Sequence, residues 1–202
     1  MMILYKIMVL TSLVAILLTL ILGPQAFAQQ LNNTAVNITD FSRYSNSLIN
    51  VNIDYPDDWV YTESVNYFSS DDQTVVFIPA EIVNATNLVT SANNSETYAV
   101  AFQVGKQQDL PFKNMQLDLY AKYIEELQRS MGNNVTKIEP TKFNTINGYR
   151  LYLDFQNGNK GFVVLFNKVP ESYYMLYASQ KDLYERYKPI AERMIQTFAF
   201  SN

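Results

Sequence analysis

The sequence predicts an α+β domain, an antiparallel β-sheet flanked by helices. Three observations carry that expectation. Two Asn-Gly dipeptides, Asn147-Gly148 and Asn157-Gly158, separate alternating apolar runs, and a type I′ hairpin turn wants such residues because both of its central positions need φ > 0. Between Gln116 and Met131 the apolar period changes from two to the helical 3.6. Two late runs, FVVLF at 162–166 and YYMLY at 173–177, are apolar on both faces. A strand of that kind must be covered on both sides, which places helices on each face of the sheet.

The elements follow in chain order. Lys6 precedes an uncharged apolar run, Ile7 to Leu22, then the helix breaker Gly23-Pro24 and the small-x-small sequence Ala26-Phe27-Ala28. This is the pattern of a signal peptide over residues 1–28, cleaved after Ala28. An uncleaved membrane anchor over residues 3–22 is the alternative reading, and it is the chain's only expected route to a membrane. No cysteine follows the apolar run, so a lipoprotein anchor is excluded. Residues 29–46 are rich in Asn, Ser and Thr without periodicity and read as a flexible polar tail. A single domain is expected over 47–202.

From Leu48 to Tyr55 the chain alternates, with Ile49, Val51, Ile53 and Tyr55 on one face. Pro56-Asp57-Asp58 stops this strand. Val60 to Val65 and the β-branched run Thr74 to Pro79 follow as strands. Glu81 to Glu96 reads as a surface loop. Thr97 to Val104 alternates again, with Tyr98, Val100, Phe102 and Val104 inward. The helix over Gln116–Met131 carries Tyr120, Ile124 and Leu127 on its buried stripe, with Asn114 as its expected N-cap and Gly132-Asn133 as its stop. A four-stranded meander then runs through Val135–Phe143, Tyr149–Phe155, Gly161–Phe166 and Tyr173–Ala178. Pro189 fits only the first turn of a helix. The closing segment therefore divides into a turn over Lys181–Arg186 and a helix from Pro189 to Thr197, burying Ile190, Met194, Ile195 and Phe198.

Composition removes whole classes of chemistry. With no cysteine, thiolate catalysis, dithiol redox exchange and iron–sulfur clusters are excluded. With no histidine, the Ser-His-Asp and Cys-His systems and every His-ligated metal site go too. A net charge of −4 with scattered basic residues leaves no electrostatic footprint for nucleic acid. No cofactor is expected.

Asp57-Asp58 and Asp71-Asp72 are turn residues or, alternatively, oxygen ligands for a calcium ion. Trp59 is a core residue or a ligand-stacking one. Glu125 and Glu126 are neighbours on a helix, point in different directions and cannot flank one bond. Five Asn-x-Ser/Thr sequons, at Asn32, Asn37, Asn84, Asn93 and Asn134, fall in segments read as loop or tail and are candidate glycosylation sites. The chain holds 15 tyrosines. Tyr184 and Tyr187, in the turn before Pro189, are a candidate partner surface, with burial in the core as the alternative.

Several short motifs share an order with a known family. Tyr55-Pro56-x-x-Trp59 ends an opening strand, and Val75-Val76-Phe77-Ile78-Pro79 follows. A helix and Gly148 lead into the meander, and Tyr184-x-x-Tyr187-x-Pro189 runs through Ile195-x-x-Phe198 to close the chain. Over about Leu48 to Phe200 this resembles the PsbP superfamily, named for an extrinsic subunit of photosystem II. The resemblance implies an α/β/α sandwich. Members of the family stabilise the oxygen-evolving complex, assist photosystem assembly or bind a small GTPase, and many prokaryotic members are exported. Metal contacts in the photosystem members use histidine and acidic positions. This chain has no histidine, so none is carried over.

The functional expectation is a non-catalytic, secreted or extracytoplasmic binding or accessory domain, with a protein or glycan partner in the cell envelope. Two alternatives are a hydrolase working through carboxylates alone and a carrier of a small apolar ligand.

Overall fold

The computed structural model describes residues 40–65, 73–85, 99–107 and 111–201. The expected signal segment, 1–28, and most of the expected tail lie outside these residues. Among the described residues no helix is long and apolar enough to cross a membrane.

Two antiparallel sheets and a few helices make up the described structure. The larger sheet has seven strands: β3 (Trp59–Val65), β4 (Gln73–Pro79), β5 (Val100–Gln107), β6 (Asn134–Phe143), β7 (Ile146–Asp154), β8 (Lys160–Lys168) and β9 (Glu171–Ser179). Their order across the sheet is β3-β4-β5-β9-β8-β7-β6. The smaller sheet joins β1 (Phe41–Asn46), β2 (Val51–Pro56) and β10 (Ala199–Phe200) in the order β1-β2-β10. The helices are α1 (Ala80–Ala85), α2 (Leu117–Ser130) and α3 (Tyr184–Thr197), the last entered through a 3-10 turn at Lys181–Leu183.

β9 occupies the centre because its sequence is apolar on both faces, and it is buried from Ser172 to Ser179. Its alternation sorts the core into two layers. Tyr173, Met175 and Tyr177 lie in register with Phe166, Val164 and Phe162 of β8, and with Lys106, Val104 and Phe102 of β5. This face meets α3 and the small sheet. Phe166 packs edge-on to Phe198 at 4.9 Å between ring centres, and Tyr44 of β1 to Phe77 of β4 at 5.4 Å. The opposite face carries Val163, Leu165 and Leu176 and meets α2, which lies across β6, β7 and β8. Tyr120, Ile124 and Leu127 are buried there as expected. Helical cover on each face thus comes from one long helix, and the small sheet shares the first face with α3.

Several expectations are corrected. Phe41–Asn46 is not tail but strand, paired along its length with β2. Its Phe41 ring lies under the Arg193 guanidinium at 3.8 Å, which pins the strand to α3. Part of the loop expected over Glu81–Glu96 is helical, since α1 extends to Ala85. Asn114 does not cap α2; it takes φ +60° in the preceding turn, and Gln116 stands at the N-cap. The first hairpin does not turn at Asn147-Gly148. It turns at Asn144-Thr145, with Asn144 at φ +49° and its side chain bonded to the Phe198 carbonyl at 2.8 Å. Gly148 lies inside β7 for a different reason: a Cβ there would sit 2.7 Å from the Leu165 carbonyl oxygen. The Asn157-Gly158 turn is present, with Gly158 at φ +86°.

Pro189 does not open a helix but sits inside α3. It is exposed, and so is Glu185, whose carbonyl has no helical partner because Pro189 carries no N–H. The stripe of Ile190, Met194 and Ile195 is buried as expected, joined by Tyr184, Tyr187 and Ala191.

Candidate functional site

The candidate partner surface at Tyr184 and Tyr187 is corrected by burial. Tyr187 is 0% exposed and Tyr184 7%. Both fall on the inward side of α3 because Leu183, Tyr187 and Ile190 recur at helical spacing. The Tyr187 ring stands edge-on to Trp59 at 6.1 Å, which makes Trp59, itself 3% exposed, a core residue. The Tyr187 hydroxyl donates to Glu81 of α1, and Arg186 pairs with the same carboxylate at 3.3 Å. Burial, then the bond to Glu81, raises the Tyr187 pKa. The Tyr184 ring packs on Tyr177 at 5.5 Å, and burial, followed by the nearby Glu185 charge, pushes its pKa up to about 12.

Of the turn carboxylates, Asp57 and Asp58 lie among the described residues. Burial raises the Asp58 pKa, with Glu81 and Asp57 adding to it, and its backbone carbonyl accepts from the Ala80 N–H at 3.0 Å. Asp71 and Asp72 lie outside the described residues. Among the described residues no group of three or more Asp and Glu could hold a metal ion. Of the sequons, Asn32, Asn37 and Asn93 lie outside the described residues, as does the Asn84 side chain. Asn134 is exposed, yet it opens strand β6 rather than lying in a loop.

The best-formed surface cluster lies where β6 and β7 emerge beside α3. The register of that hairpin sets Lys137 opposite Tyr152 and Glu139 opposite Arg150. All four side chains point to the α3 face. Arg150 reaches Glu192 of α3 with two parallel bonds, 2.5 and 2.8 Å, and lies over the Phe162 ring at 4.6 Å. Burial opposes the Arg150 charge, but the hydrogen bond and charge of Glu192 outweigh it and raise its pKa. The Tyr152 hydroxyl donates to Glu139 at 2.8 Å. Lys137 pairs with Glu139 and lies over the Tyr152 ring at 5.7 Å, while Lys188 of α3 lies over the Tyr184 ring at 5.6 Å. Hydrogen bonding to Lys137 and then to Tyr152 lowers the Glu139 pKa. The cluster is a floor of tyrosine and phenylalanine rings under paired, solvent-reachable charges.

A second buried polar group lies on the α2 face. Gln103 donates to the Tyr174 hydroxyl at 2.8 Å, and Gln107 accepts from Tyr120 at 2.5 Å. Between them Gly105 leaves room for the Tyr174 ring, which would stand 2.3 Å from a Cβ. Ser172 and Asn167 bond the Phe112 and Met115 carbonyls, fastening the segment that leads into α2. Alternation alone placed Gln103 on an outer face. The small residues Ala101 and Gly105 beside it were the signal that this face is packed too.

No protein family and no curated protein matches the chain by sequence. Solved structures do match by shape. The solution structure of cyanobacterial PsbP (CyanoP) from Synechocystis aligns with a TM-score of 0.53 at 11% identity, covering 85% of this chain and 99% of that one. A Bacteroides thetaiotaomicron protein aligns at 0.49 and 10% identity over 79% of this chain and 48% of its own. LpqN, involved in cell envelope biogenesis of Mycobacterium tuberculosis, aligns at 0.38 and 11% identity over 84% and 90%. At such identities the likeness to CyanoP is one of fold, and function has to come from this chain's own residues. The chain is therefore built on a PsbP-like fold.

Proposed function

We propose that this chain is a non-catalytic, extracytoplasmic accessory domain that recognises a protein or glycan of the cell envelope through the β6–β7–α3 cluster. Residues 1–28 direct export, and the exposed Asn134 is open to glycan addition on the exported chain. One observation carries the reading. The conspicuous carboxylates are each committed to a partner on another element or strand. Glu192 is held by Arg150, Glu81 by Tyr187 and Arg186, and Glu171 by Lys106 at 3.4 Å and Tyr173 at 2.5 Å. Carboxylates spent as cross-links stiffen a scaffold, whereas acid–base catalysis needs one presented to a substrate. The charges at β6–β7–α3 are also paired, but Lys137 and Glu139 remain reachable, with side chains 60% and 34% exposed. Aromatic rings under fixed, reachable charges suit a partner that combines apolar and hydrogen-bonding surface.

Affinity capture from envelope extracts tests this. The full chain is compared with a Lys137→Glu, Lys188→Glu variant. The Lys137–Glu139 pair is exposed and such pairs are worth at most about 1 kcal/mol, so closely similar melting temperatures show that both are folded. The wild-type chain is expected to retain a protein or glycan that the variant loses. Retention of nothing, or equal retention by both, overturns the proposal.

A further inference from the structure

We infer that β3 is a dimerisation edge, through which the seven-stranded sheet continues into that of a second copy of this chain. Among the described residues β3 and β6 end the sheet, each pairing with one neighbour only. An edge strand exposes a row of unpaired N–H and C=O groups, and proteins that must stay apart guard it with bulges, proline and lysine.

The two edges are built differently. β6 has a register break between Val135 and Lys137, Pro140 in mid-strand, and Lys137 and Lys142 along it. β3 has no bulge, proline or lysine, and its one charged residue is Glu63, which is tied to Tyr44 and Asn46 of β1. Its seven residues, WVYTESV, pair in unbroken register with β4. They are mostly aromatic or β-branched, the types that favour strands. Val60 is 44% and Tyr61 48% exposed, and Thr62 and Glu63 are exposed as well, so both faces of this edge are open.

The strand is also complementary to itself. A two-fold axis at Thr62, the middle of β3, pairs the whole strand with its copy. It sets Tyr61 opposite Glu63 of the second copy, Glu63 opposite that copy's Tyr61, and Val60 opposite its Ser64. Glu63 accepts from Tyr44 at 2.7 Å and from Asn46 at 3.1 Å, both at Oε1. Its Oε2 is left to accept from the Tyr61 hydroxyl of the other chain. An axis at Glu63 would oppose like charges, which destabilises a strand pair, and an axis at Tyr61 would shorten the ladder.

The chain has no cysteine, so introduced thiols report the register without background. Thr62→Cys, Val60→Cys and Ile138→Cys are made in the full chain, held in detergent micelles and mildly oxidised. The axis brings residue 62 to about 5 Å from its counterpart between Cβ atoms. The two copies of residue 60 stay roughly 13 Å apart along the strands. Thr62→Cys is expected to cross-link at least tenfold faster than the other two, giving a band at twice the chain mass of 23.2 kDa. Light scattering should show two chains per micelle for wild type and one for Thr62→Lys, which sets ammonium groups against each other at the axis. A monomeric wild type, a Thr62→Lys dimer, or Thr62→Cys no faster than Val60→Cys or Ile138→Cys overturns the inference.

Discussion

Tyr187 joins three parts of the molecule: its ring packs on Trp59 of β3, its hydroxyl reaches Glu81 of α1, and its backbone belongs to α3. Removing the ring and removing the hydroxyl should therefore differ in cost. Tyr187→Ala empties a site that is 0% exposed and should cost about 3–5 kcal/mol in a urea titration. Tyr187→Phe frees a carboxylate whose side chain is 44% exposed. Water and Arg186 then replace the lost bond, so about 1 kcal/mol is expected. Equal, small losses for both would place the ring on a surface. Tyr184 adds a pH signature. Its pKa is raised to about 12, above the usual tyrosine value of about 10. A group raised in the folded state contributes stability that is complete below the unfolded pKa and is lost as pH climbs through the folded one. Unfolding midpoints should fall as pH rises above about 10, and Tyr184→Phe should make that fall shallower without abolishing it, since Tyr187 and other buried tyrosines are raised as well. At the surface, the proposed glycan addition at Asn134 predicts that Asn134→Gln lowers the chain's intact mass by one glycan, and unglycosylated masses for both chains would contradict it.

At the scale of elements, α3 and the β6–β7 hairpin show what sequence could and could not convey. The apolar stripe of α3 was legible because Ile190, Met194 and Ile195 recur at helical spacing. The position of Pro189 was not. A helix interior rejects proline by about 3 kcal/mol, and only the three-dimensional structure shows that this proline and Glu185 are exposed. Pro189→Ala should therefore stabilise the protein by up to about 2 kcal/mol, since the gained helical bond exceeds the entropy that proline removes from the unfolded chain. The hairpin was misplaced in a way that hid the candidate site. A turn at Asn147-Gly148 pairs Arg150 with Thr145 and Tyr152 with Phe143. The turn at Asn144-Thr145 pairs them with Glu139 and Lys137. Asn144 adopts the left-handed conformation that the Asn-Gly pair advertises, and Gly148 is reserved for a close approach to β8. Gly148→Ala should accordingly destabilise by about 1–3 kcal/mol, because the backbone of Leu165 cannot yield as a side chain would.

At the scale of the described structure, the central strand of the seven-stranded sheet was evident from its double-faced apolarity, while the boundary of the fold was not. β1 lacks apolar periodicity, and of its six residues only Tyr44 is buried. It is held by pairing with β2 and by Arg193 over Phe41, contacts with partners distant in sequence. β10 is two residues long and pairs back to β2, a link no local pattern could reveal. The same fold as CyanoP at 11% identity means that patterning survives where side-chain chemistry does not. The surface chemistry must be read from this chain alone, and the reading proposed for it places recognition at the β6–β7–α3 cluster. Photo-crosslinking in intact envelopes tests that claim most directly, with a benzophenone amino acid placed in turn at Lys188 beside the cluster and at Leu119 on α2, which is 53% exposed. The account predicts a discrete adduct from position 188 and none from 119. Adducts from 119 with none from 188 would contradict it.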